Sequence, residues 1–69
     1  MPKVKIILNG EQMAVERNIS LSQLISQLEL DLTKIAIEKD LEIVNAENFS
    51  KILLDEGSRI EIVHFIGGG

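Results

Sequence analysis

A chain of 69 residues with a formal charge of −4 and no cysteine excludes several classes at once. So short a chain cannot build a second hydrophobic core and makes one domain, and without thiols there is no disulfide framework, no thiolate metal site and no persulfide carried on the chain itself. The acidic balance, with no run among the seven basic residues, argues against nucleic acid, whose phosphates are held by clustered Lys and Arg.

Hydrophobic residues make up 45% of the chain, yet there are two Phe and no Trp or Tyr, so the core must be Ile, Leu and Val. The start, Met1-Pro2-Lys3-Val4-Lys5, meets only the apolar triplet Ile6-Ile7-Leu8 before Asn9. That is too short for a signal peptide or a membrane span, and the expectation is a cytoplasmic protein with no membrane partner.

The first segment alternates Val4, Ile6, Leu8 against Lys3, Lys5, Ile7 and then reaches Asn9-Gly10, the strongest short-range hairpin signal. A two-residue loop places Leu8 opposite Glu11, Ile6 opposite Met13 and Val4 opposite Val15 on one face. Lys5 then meets Ala14 and Lys3 meets Glu16 on the other. After Arg17-Asn18 the period changes, because Leu21, Leu24, Ile25 and Leu28 fall at the spacing of an amphipathic helix. Ser20 with Gln23 forms a capping box at its start.

Ile35-Ala36-Ile37 and Glu42-Ile43-Val44 are two short strands with Glu38-Lys39-Asp40 as the turn between them. Phe49, Ile52 and Leu53 have helical spacing in a segment so brief that a single turn packing Phe49 inward is equally consistent. Asp55-Glu56-Gly57-Ser58 is a turn in which Gly57 supplies a positive φ. The last strand, Arg59 to Phe65, sets Ile60 and Ile62 on one face and Glu61, Val63 and Phe65 on the other. The order strand, strand, helix, strand, strand, strand fits an α+β mixed sheet of about five strands with the helix across one face. The first and last strands can pair in parallel in its middle.

The strand runs into Ile66-Gly67-Gly68-Gly69. A frayed end or an added linker is the plain account of such glycines. A side-chain-free tail also has a specific use: it can thread a narrow channel and deliver its α-carboxylate to another protein's active site. Four extended residues reach about 13 Å. Triglycine has no packing to offset its ordering entropy, so the expected division is a domain over residues 1–66 and a flexible tail over 67–69.

Other residues read as ordinary structure. His64, the only histidine, has no sequence neighbour that would orient it for proton transfer. The acidic pairs Glu29/Asp31, Glu38/Asp40 and Asp55/Glu56 lack metal-ligand spacing. Val63 and Phe65, pointing away from the helix, form with Ile7 a candidate apolar docking patch.

The chain as a whole resembles the thiamine-biosynthesis sulfur carrier family, within the ubiquitin-like β-grasp proteins. The resemblance lies in the Asn9-Gly10 hairpin, the Leu21 to Leu28 helix and Glu42-Ile43-Val44 before Phe49, followed by Gly57-Ser58-Arg59-Ile60-Glu61-Ile62-Val63 leading to the Gly-Gly end. Val44-Asn45-Ala46 and Gly57-Ser58 depart from common family patterns, both in turns. The resemblance implies a protein that is not an enzyme and binds no cofactor itself. An adenylating enzyme using ATP and magnesium would activate Gly69, with Gly67 and Gly68 keeping the tail slim. A cysteine-derived persulfide, as from a cysteine desulfurase system, would supply the sulfur, and the Gly69 thiocarboxylate would feed thiazole synthase. The Gly-Gly end is shared by the molybdopterin synthase small subunit and by other ubiquitin-like carriers and protein modifiers, so the pathway stays open at this point.

Overall fold

The computed structural model describes residues 2–65. Two antiparallel strands, β1 (Lys3–Leu8) and β2 (Glu11–Glu16), open the fold. Their register is the expected one, Leu8 with Glu11 through Lys3 with Glu16. Asn9 and Gly10 turn the chain with φ of 49° and 85°, the paired left-handed conformation that twists a two-residue hairpin the right way.

Helix α1 (Leu21–Gln27) starts at Ser20, whose Oγ accepts from the Gln23 N–H while the Gln23 side chain accepts from the Ser20 N–H. This capping box fixes the start and contributes about 1 kcal/mol. Leu21, Leu24 and Ile25 are buried against the sheet. Strands β3 (Ile35–Lys39) and β4 (Glu42–Val44) form the second hairpin, and β5 (Arg59–His64) returns through the middle. The five-stranded sheet has the order β2-β1-β5-β3-β4, with β1 and β5 parallel, the arrangement that the element order allows. Ile6, Leu21, Leu24, Ile25, Ile37, Leu54 and Ile60 form the fully buried centre.

Two details differ from the sequence expectation. The second turn is Asp40-Leu41, since β3 runs on to Lys39, which pairs with Glu42. Leu41 adopts φ 75° with 81% of its surface exposed, a conformation that crowds Cβ against the backbone. Asp40 holds the turn in place: its N–H donates to the Arg59 carbonyl at 2.8 Å, and its carboxylate accepts from the Arg59 N–H at 3.0 Å. Leu41→Gly removes the crowding and is expected to raise stability by roughly 0.5–1 kcal/mol. Urea unfolding would show a higher midpoint at unchanged slope.

The second detail is the 45–54 segment. It forms a short 3-10 turn over Ala46–Asn48, buries Phe49, and then carries Leu54 rather than Leu53 into the core, Leu53 being half exposed. Long-range backbone bonds decide this, from Leu21 N–H to the Ile52 carbonyl and from Leu54 N–H to the Ile19 carbonyl, both 2.9 Å.

The β1–β5 ladder is short, with Ile7 beside Arg59 and Leu8 beside Ile60. It begins where the Ile7 N–H donates to the Ser58 carbonyl. Ser58 itself is buried and closes its turn by accepting from the Asp55 N–H at 2.9 Å, so the Gly57-Ser58 departure leaves a closed turn. Beyond Leu8 the strand has already turned away, and Asn9 completes the ladder. Its N–H donates to the Ile60 carbonyl and its side-chain Oδ1 accepts from the Ile62 N–H, each at 2.8 Å.

Candidate functional site

Strand β5 determines what the domain presents near its C-terminal end. Ile60 is fully buried and Ile62 is half buried against the core, while Val63 and Phe65 are 58% and 54% exposed. The alternation therefore has the expected hand. Val63 lies opposite Ala36 on β3, a small neighbour that leaves it uncovered. Phe65, just past the strand, is tied down by its N–H donating to the Lys34 carbonyl at 2.8 Å.

Ile7 is half buried rather than open. It lines a shallow groove with Glu38, Leu41, Arg59 and Glu61, at the start of β5 and away from the end that carries Val63 and Phe65. Glu38 and Glu61 face each other across the β3–β5 pair, an unfavourable cross-strand contact with Arg59 two residues from Glu61 on the same strand. Leu41 and Ile43, the latter 77% exposed, add apolar surface at the β3–β4 end that the alternation of β4 alone did not mark as part of a patch.

His64 is exposed and lies opposite Ile35. The Arg59 N–H, and after it the Lys39 ammonium 2.9 Å away, hold the Asp40 carboxyl below the ordinary aspartate range. The Thr33 hydroxyl and N–H do the same for Asp31. Both aspartates close turns through these bonds, and Asp40 lies beside Lys39 and Glu42 on an open cleft at the β3–β4 end. Among the described residues no group of three or more His, Asp or Glu is placed to hold a metal ion, and no helix is long and apolar enough to cross a membrane. Gly67, Gly68 and Gly69, expected to thread a channel and carry the chemistry, lie outside the described residues, as does the 66/67 division.

A mixed five-stranded sheet with one helix across its face and an exposed strip on the final strand is the ubiquitin-like β-grasp arrangement. It superimposes on the crystal structure of the thiamine biosynthesis protein ThiS from Geobacter metallireducens with a TM-score of 0.83 at 23% identity, covering 96% of this chain and 100% of that one. The ThiS family model matches residues 6–69, and the chain belongs to the ThiS family. The sulfur carrier protein ThiS of Bacillus subtilis is 30% identical over 63 residues, covering 90% of this chain and 96% of that protein. Two proteins named thiazole synthase are also similar: that of Paramagnetospirillum magneticum at 35% and that of Magnetococcus marinus at 38% identity, each over 66 residues and 96% of this chain. The chain spans 20% of the length of these two relatives.

Proposed function

We propose that this chain is a sulfur carrier for thiazole formation in thiamine biosynthesis, with Gly69 as its working residue. The observation that carries this reading is the extent of the family match, which reaches Gly69 itself. The similarity to a part of two thiazole synthases supports the thiazole branch, with thiazole synthase as the proposed acceptor of the sulfur.

The chemistry follows from what a carboxylate lacks. It is a poor electrophile, so an adenylating enzyme using ATP and magnesium lets a Gly69 carboxylate oxygen attack the α-phosphorus, expelling pyrophosphate and leaving an acyl-adenylate. A persulfide formed by a cysteine desulfurase system attacks the acyl carbon and expels AMP. A thiol then cleaves the resulting acyl disulfide, freeing the thiocarboxylate and leaving a disulfide behind. The carrier contributes an unhindered terminus and a docking face, with Val63 and Phe65 at its centre and Ile7 at its margin, while the catalysis and the bound cofactors belong to the partners.

Intact-protein mass spectrometry of the chain incubated with ATP, magnesium, cysteine and an extract of its own cell tests this. The expected product has gained the difference between one sulfur and one oxygen, mapped to Gly69. Conjugation to lysines in place of that gain would make the chain a protein modifier and sink the carrier reading.

A further inference from the structure

We propose that Asn9 is a positioning residue for the C-terminal chemistry, its side-chain amide acting as a latch that fixes the second half of β5. The proposal rests on the carrier function above and adds to it a residue that lies far from Gly69 in sequence.

The structural reason is a mismatch in strand length. On its β3 side, β5 is paired from Ile60 to His64. On its β1 side the parallel pairing stops at Ile60, where β1 bends into its hairpin. A carboxamide projecting from the first turn residue supplies the missing rung: Asn9 Oδ1 takes the Ile62 N–H at 2.8 Å, across 53 positions of sequence. The same residue's N–H holds the Ile60 carbonyl at 2.8 Å. Asn9 therefore grips β5 at two successive points, immediately before Val63, His64 and Phe65. The turn alone does not require the amide, because Gly serves equally well at this left-handed position.

What the latch would control is direction. Val63 and Phe65 form the exposed strip, and the chain continues from Phe65 toward the terminal glycine. If Ile62 is released on one side, the last residues of β5 are held only from the other, by the β3 ladder and the Phe65 N–H on the Lys34 carbonyl, and the strand end is less firmly fixed. Val63 and Phe65 keep their exposed side and their β3-side bonds, while the segment that leads to the terminus is less firmly directed. A misplacement of about 1 Å at a reacting group can reduce rate by roughly a hundredfold, so partial loosening is expected to lower turnover more than affinity.

The test compares Asn9→Gly, which keeps the turn and deletes the amide, with Asn9→Asp, which keeps an acceptor at the same place and tolerates the same φ. Ile62 amide exchange reads the latch, and ATP-pyrophosphate exchange by the adenylating enzyme of the same cell reads the chemistry. All measurements are made well below the unfolding temperature of each variant. Asn9→Gly is expected to speed Ile62 exchange and lower kcat about tenfold with KM within about twofold, and Asn9→Asp to restore both. Unchanged Ile62 exchange in Asn9→Gly overturns the latch. A wild-type kcat in Asn9→Gly despite faster Ile62 exchange leaves a purely structural bond and overturns the positioning role, as does an Asn9→Asp variant that remains slow. If the wild-type chain itself is never adenylated, the carrier reading and the positioning role fall together, while Ile62 exchange still reports whether the bond holds the strand.

Discussion

Phe65→Asp is expected to fold and to bind its activating enzyme poorly, whereas Ile60→Asp is expected not to fold. The two positions lie five residues apart, at opposite ends of β5, and burial separates them. Ile60 has no exposed surface. An aspartate there loses the buried side chain, about 2–5 kcal/mol, and adds an unpaired buried charge at several kcal/mol more. A domain of this size has roughly 3–10 kcal/mol of stability in all, so the sum exceeds what is available. Phe65 is 54% exposed, and its replacement removes about 1 kcal/mol of burial without enclosing the new charge. At the centre of an apolar interface the same carboxylate must be desolvated, and the expected loss in affinity is roughly a hundredfold. Circular dichroism with thermal melting, run beside ATP-pyrophosphate exchange, separates the cases. A Phe65→Asp variant that folds and is adenylated at normal affinity means that the strip is not a docking surface; one that unfolds means that Phe65 is part of the core.

One residue appended after Gly69 is expected to abolish thiocarboxylate formation and leave stability unchanged. Phe65 is the last residue with a described anchor, its bond to the Lys34 carbonyl, and Ile66 to Gly69 span at most about 13 Å from it. An extra residue displaces the carboxylate by about 3.3 Å, as far as the distance over which reacting atoms must meet. A fall of more than a hundredfold in adenylation is the expected result, with an unaltered melting temperature because no core residue is touched. An extended chain that still gains sulfur at its end would remove the terminal glycine from the mechanism.

The parts of this protein legible in the sequence are those fixed by neighbours in the chain. Asn9-Gly10 permits one tight turn, and that turn sets every pair from Lys3–Glu16 to Leu8–Glu11. Ser20 and Gln23 sit three apart, so the start of α1 is a local bond. The two-residue period of β5 separates Ile60 from Val63 and Phe65 before any partner strand is known, and the element order allows β1 and β5 to lie side by side without requiring it.

Tertiary structure decided what depends on residues far apart. Leu41 bears no turn signal, yet it takes a left-handed conformation because Asp40 is bound on both sides to Arg59. Leu54 enters the core instead of Leu53 because its N–H is claimed by Ile19, 35 positions earlier. Asn9 looks in sequence like a turn residue and nothing more, while in the fold its amide also holds Ile62. A turn is a contest among a few dihedrals and can be judged locally. A bond spanning 53 residues exists only once the sheet has closed, and no local preference announces it.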